Sequence, residues 1–149
     1  MRDPKKKIII YTDGGARGNP GPAAIGVAMQ DADGHPIKSW GKAIGNATNN
    51  EAEYQAVVFA LQKARAFFGK EGIRNMVIDM RMDSELVMRQ LRGEYRIEEE
   101  RLFPSFMKIW NLKMDFGSVL FTHVPREQNR EADRMVNEAL DKNQDTLFQ

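Results

Sequence analysis

The sequence of 149 residues contains no cysteine, which excludes a disulfide framework and any thiolate-based metal or redox centre. Histidine is nearly as scarce, with only His35 and His123, so little is available for an imidazole-based zinc site. No apolar run approaches membrane-spanning length, and the opening Met1-Arg2-Asp3-Pro4-Lys5-Lys6-Lys7 lacks a signal-peptide core. A soluble, cytoplasmic protein is expected. An excess of one charge is also missing. The net charge is only +1, so any binding of a polyanion would rest on local clusters rather than on overall balance. Lys5-Lys6-Lys7 reads as a solvated strand entrance. Neither an internal repeat nor a low-complexity linker divides the chain, and residues 1–149 are expected to form one domain.

Hydrophobic periodicity supplies the elements. Strands are expected over Lys6–Tyr11, near Ala23–Gln30 and Pro36–Ala43, and over Asn75–Met82 and Ser118–Val124. Helices are expected over Asn50–Gly69, near Ser84–Leu91 and Leu102–Lys113, and over Arg130–Lys142. The turn signal Asp31-Ala32-Asp33-Gly34 makes the first three strands an antiparallel meander, with His35 solvated in that turn. Later strands, separated by helices, suggest parallel additions to an α/β fold. Phe103, Phe106, Met107 and Trp110 read as the packing face of an amphipathic helix rather than a base-stacking platform.

Four carboxylates are what the chain has in place of thiols and imidazoles. Asp13 follows the buried apolar run Ile8-Ile9-Ile10-Tyr11 and precedes Gly14-Gly15, at the expected carboxyl end of a strand, where open α/β sheets usually bind ligands. Taken alone, it reads first as a turn-initiating Asp before Gly-Gly, and the other acids change that balance. Thr48 and Glu51 have capping-box spacing, so Glu51 is assigned to the helix start. Glu53 instead shares a stripe with Val57, Ala60, Ala64 and Phe68, and a buried carboxylate there needs a metal, a cation or a raised pKa. Asp83 sits at a strand-to-helix junction, where both an N-cap and a ligand are chemically apt. Asp79, within the same strand, is read as a surface or paired residue. Asp133 lies beside the core stripe Ala132, Val136 and Ala139, in first turns where the helix dipole alone would favour an anion. Carboxylates suit hard cations, hence Mg²⁺ or Mn²⁺ over zinc. Cations for a polyanionic ligand are available in Arg89, Arg92 and Arg96 and in Arg126, Arg130 and Arg134, either of which also reads as a solvated helix face.

Taken in order, these segments resemble type 1 ribonuclease H across nearly the whole chain. The run Thr12-Asp13-Gly14-Gly15-Ala16-Arg17-Gly18-Asn19-Pro20-Gly21-Pro22 is the most specific piece. Thr48-Asn49-Asn50 with Glu53, Asp83-Ser84, and Arg126-Glu127-Gln128-Asn129-Arg130-Glu131-Ala132-Asp133 follow it. The resemblance implies a ribonuclease H-like α/β fold, a five-stranded mixed sheet flanked by helices. It also implies endonucleolytic hydrolysis of the RNA strand of RNA–DNA hybrids with two divalent cations, leaving 3′-hydroxyl and 5′-phosphate ends. Asp13 would bridge both ions, Glu53 and Asp83 would complete one shell, and Asp133 the other. Repulsion in the empty cage should raise at least one pKa. Gly14, Gly15 and Glu53 are candidates for contacts to 2′-hydroxyls, and Asn19, Thr48, Asn49, Asn50 and Asn129 for contacts to the substrate. No membrane and no obligatory protein partner is implied, and a monomer is expected.

Two departures from the family pattern stand out. Gly93-Glu94-Tyr95-Arg96-Ile97-Glu98-Glu99-Glu100-Arg101 occupies the place where many members carry a longer lysine-rich protrusion, so substrate affinity is expected to be lower. In the loop before the last helix, where many members place a histidine, Arg126 is favoured as the loop residue and His123 is left in the strand. Two other readings remain: a non-catalytic hybrid-binding module on the same fold, and a nucleotide site of the sugar-kinase or actin type. The latter needs a second lobe and phosphate loop that are not seen in the sequence.

Overall fold

The computed structural model describes residues 6–147, with side chains described to residue 144. Met1–Lys5, including the expectation for Lys5, lie outside the described residues. Among those described, the chain runs β1 (Lys6–Ala16), β2 (Gly21–Asp31), β3 (Pro36–Ala47), α1 (Asn49–Phe68), β4 (Met76–Met82), α2 (Glu85–Leu91), α3 (Phe103–Lys113), β5 (Ser118–His123) and α4 (Arg130–Leu147). The five strands form one sheet in the order β3-β2-β1-β4-β5. Pairing of β1 with β2 and of β2 with β3 is antiparallel, while β4 joins β1, and β5 joins β4, in parallel. This is the expected meander with parallel additions.

Ile8, Ile9 and Ile10 are all buried because β1 is central and covered on both faces. Ile8 and Ile10 belong to the main core with Tyr54, Val57, Leu61 and Ala64 of α1. On the opposite face α4 lies across β2 and β3, burying Ala132, Met135, Val136 and Leu140. Both helices come unusually close to the sheet, and glycine makes that possible. A Cβ on Gly14 would overlap the backbone of Ala52 and Glu53, and one on Gly26 would overlap the Ala132 carbonyl.

Several boundaries differ from expectation. Gly14 and Gly15 do not end β1: β2 continues to pair with it as far as Ala16 opposite Ala23, which holds the glycines extended. β3 likewise runs on to Ala47, and α4 to Leu147. The α3 face is the larger correction. Only Ile109 of that helix is fully buried, whereas Phe103, Met107 and Trp110 are exposed and Trp110 stacks on Phe106. Apolar periodicity alone marks a stripe without saying what covers it. His35 is exposed in its turn, with Nδ1 3.3 Å from Asp31. Asp79 is paired, as one reading had it, but is not at the surface. It is buried and accepts hydrogen bonds from Arg81 Nε at 3.0 Å and Thr122 Oγ1 at 2.8 Å. No described helix is long and apolar enough to cross a membrane.

Candidate active site

The parallel ladder between β1 and β4 stops at Thr12 opposite Met82. The next residue on each strand is an acid, Asp13 or Asp83, so two adjacent carboxyl ends each deliver a carboxylate to one point. Glu53 arrives from above because α1 is capped immediately upstream. Thr48 Oγ1 accepts the Glu51 N–H at 3.1 Å, and Glu51 Oε1 accepts the Thr48 N–H at 3.0 Å, the reciprocal capping box read from the sequence. Glu51 is thereby occupied, and Glu53, one turn in, faces the sheet.

Asp13, Glu53 and Asp83 each place a carboxylate oxygen within 4.8 Å of the others. Asp83 is free for this because the N-cap of α2 is not Asp83 but Ser84, whose hydroxyl accepts the Val87 N–H at 3.3 Å. Asp133 is exposed on α4 and closes the cluster from the side, near enough to Asp13 to hydrogen-bond with it.

Crowding acids out of water has the consequence that electrostatics demands. Burial, reinforced by the charge of Asp83, pushes the Asp13 carboxyl up to about 7. Burial, then the charges of Asp13 and Asp83, hold Glu53 well above the ordinary carboxylate range. The same burial and neighbouring charges act on both acids, so in the metal-free cage both are driven toward the protonated form. The Gly14 N–H opposes this by donating to the Glu53 carboxylate. An all-oxygen donor set of this density and charge fits a hard divalent cation.

The acids line a groove of about 520 Å³ together with Gly14, Gly15, Asn49, Asn50 and Arg126. Other candidates fall elsewhere. Thr48 is used by the capping box, and Asn19 Oδ1 accepts the Asn49 N–H at 3.0 Å, so both build the rim from behind. Asn129 departs most from expectation: it is 1% exposed and its Nδ2 donates to the Thr12 carbonyl at 2.9 Å, which makes it a tie between β1 and α4 instead of a substrate contact. His123 ends β5 exposed and is not part of the groove wall. Arg17, Ser84 and Asn137 also line the groove, although the sequence pattern assigns none of them a role at the site. Arg17 donates to Asp141 and Gln144, each at 2.6 Å. The signal for Asn137 was its position one turn beyond Asp133; for Arg17 no local signal exists, since its partners are 124 and 127 residues away.

A mixed five-stranded sheet with helices on both faces, and an acidic cage where β1, β4, α1 and α4 meet, defines a ribonuclease H-like protein. The sequence matches the reverse transcriptase-like family over residues 11–139. It is 42% identical to ribonuclease HI of Halobacterium salinarum over 135 residues, 91% of this chain and 65% of that protein. LC11-RNase H1, solved in complex with an RNA/DNA hybrid, superimposes with a TM-score of 0.87 at 47% identity, covering 91% of this chain and 98% of that one. The N-terminal RNase H domain of rv2228c from Mycobacterium tuberculosis gives a TM-score of 0.81 at 34% identity, covering 90% and 98%. The chain spans 65% of the halobacterial protein and 36% of the full mycobacterial one. It belongs to the type 1 ribonuclease H family.

Proposed function

We propose that this protein hydrolyses the RNA strand of RNA–DNA hybrids endonucleolytically, using two Mg²⁺ or Mn²⁺ ions and leaving 3′-hydroxyl and 5′-phosphate ends. The observation that carries the reading is the convergence of Asp13, Glu53 and Asp83 within 4.8 Å, with Asp133 beside them, at the floor of an open groove. Asp13 and Asp133 would hold one cation, and Asp13, Glu53 and Asp83 the other. When bound, such ions supply charge stabilisation at the scissile phosphate and activation of the attacking water.

The remaining work falls to the chain's own groups. Asp13 and Glu53, both raised in the metal-free cage, would have to be ionised to hold a cation. The Glu53 carboxylate and the backbone of Gly14 and Gly15 would meet 2′-hydroxyls, the groups that distinguish RNA from DNA. Asn49 and Asn50 form the adjoining wall. Arg126, in the 3-10 turn Arg126–Gln128 that follows Pro125, lines the same groove and would offer a fixed positive charge to phosphate.

Labelled hybrid, duplex RNA and duplex DNA incubated with the protein, with and without Mg²⁺, test this directly. Cation-dependent cutting of the RNA strand of the hybrid, with 5′-phosphate products, is expected. Cation-independent cutting, or none, would overturn the reading, and tight hybrid binding without cutting would favour a binding module.

A further inference from the structure

Asn49 and Asn50 are adjacent in sequence and both line the groove, yet the protein fixes their amides in opposite senses. The Ala16 N–H donates to Asn49 Oδ1 at 2.9 Å. A backbone N–H can only donate, so the oxygen of Asn49 is committed and Nδ2 is the end left for the groove. For Asn50 the reverse holds: its Nδ2 donates to Glu99 Oε1 at 3.1 Å. An ionised carboxylate can only accept, so the amide cannot flip without losing a charge-assisted bond, and Oδ1 is the end left for the groove. Neither free end has a hydrogen-bond partner recorded among the described residues.

These orientations have unequal value for recognition. The 2′-hydroxyls that the adjoining Glu53 would meet lie along the minor groove of a hybrid, where every base pair offers acceptors, so a donor such as Asn49 Nδ2 is satisfied by any sequence. Donors on base edges there come only from the 2-amino group of guanine. We infer, on the basis of the hybrid-cleaving function proposed above, that Asn50 Oδ1, oriented by Glu99, makes this protein prefer guanine at the nucleotide facing it. Glu99 is then a positioning residue for specificity.

Glu99 stands in the short connection that replaces the basic protrusion, and that connection is fastened to the start of α1 by more than this one bond. Tyr54 donates to Gln90 Oε1 at 2.7 Å, and Gln90 Nε2 donates to the Arg96 carbonyl at 3.3 Å. Arg101 lies 3.9 Å from Glu51. The segment is thus held against the wall that carries Asn50, and a stretch rich in glutamate has a use beside a polyanion that charge alone would not suggest.

The test uses hybrids identical except for one base. Replacing guanine by inosine deletes the 2-amino group, and replacing adenine by 2,6-diaminopurine adds it, each stepped through both strands. Cutting should fall about three- to tenfold at the scissile bond whose register places inosine opposite Asn50, the worth of one hydrogen bond, and rise when diaminopurine occupies that register. Glu99→Ala should bring the guanine-to-inosine ratio to about one. Glu99→Lys, whose ammonium can only donate, should turn Nδ2 toward the groove and make the 2-amino group unfavourable. Ratios within one variant are insensitive to a general loss of stability or affinity. A wild-type ratio of one at every register, or an unchanged ratio in both variants, overturns the inference while leaving hybrid cleavage intact. A protein that neither binds nor cuts hybrid overturns the functional reading itself.

Discussion

Asn129 Nδ2 donates to the carbonyl of Thr12 at 2.9 Å, and the Asn129 carbonyl in turn accepts the N–H of Asp133 at 3.1 Å. Thr12 is the residue before Asp13, so this one side chain fixes the spacing between two acids that are far apart in sequence. Both Asn129 and Thr12 are fully buried, and no water can easily replace the amide.

Asn129→Ala should therefore cost about 1–3 kcal/mol of stability, the penalty for leaving a buried carbonyl unpaired, and should also impair cutting through displacement of Asp133. Urea denaturation and turnover measured on the same preparation check both. Full stability with full activity would show that the tie is dispensable.

Asp13→Asn should abolish cation-dependent cutting while the fold persists. It also removes like-charge repulsion, so its melting temperature in chelator should equal or exceed that of the parent protein. A large fall would indicate that Asp13 is a structural residue.

The same repulsion predicts a pH dependence of a definite sign. Folding raises Asp13 from 3.8 to about 7, so the native state keeps a proton that the unfolded chain has released. This contribution is present at low pH and is lost as pH rises through about 7, which makes the chelated protein less stable at pH 8 than at pH 5.5. Added divalent cation should restore the loss, more strongly at the higher pH because protons compete for the same oxygens. Urea midpoints across this range, in chelator and in Mg²⁺, would reveal a slope that is shallower in Asp13→Asn, where burial still holds Glu53 raised.

Glu53→Gln should reduce turnover by orders of magnitude, whereas Glu51→Gln should leave it near that of the parent, since glutamine still serves a capping box. Steady-state rates at saturating Mg²⁺ separate the two. Comparable losses would contradict the division of labour seen at the start of α1.

Arg126→Ala should lower turnover but leave measurable activity, because the carboxylate cage is untouched. His123 is exposed rather than packed, so His123→Ala should change stability by no more than about 0.5 kcal/mol, in contrast to the packing role that its strand position suggested. Should His123→Ala instead remove a titration near neutrality from the rate profile, with Arg126→Ala silent, the assignment of the loop residue is reversed.

Much of this was legible in the sequence because the governing interactions are local. The unbroken apolar run of β1 required a strand covered on both faces, and the spacing of Thr48 and Glu51 fixed the start of α1, which by helical phase turned Glu53 inward. The ordered motifs carried the family resemblance. What sequence left open was decided by partners distant along the chain. Asp83 was free for the cage only because Ser84 took the cap, and Gly14 remained extended because β2 ran alongside it. Asn129 became a buried tie because the β1–β4 ladder ends at Thr12. The exposure of Trp110 and the opposed amides of Asn49 and Asn50 depend on which surfaces and which donors the fold brings near. Local propensity is written in neighbours three or four residues away, but solvent exclusion and hydrogen-bond direction are set by contacts that only closure of the tertiary structure creates.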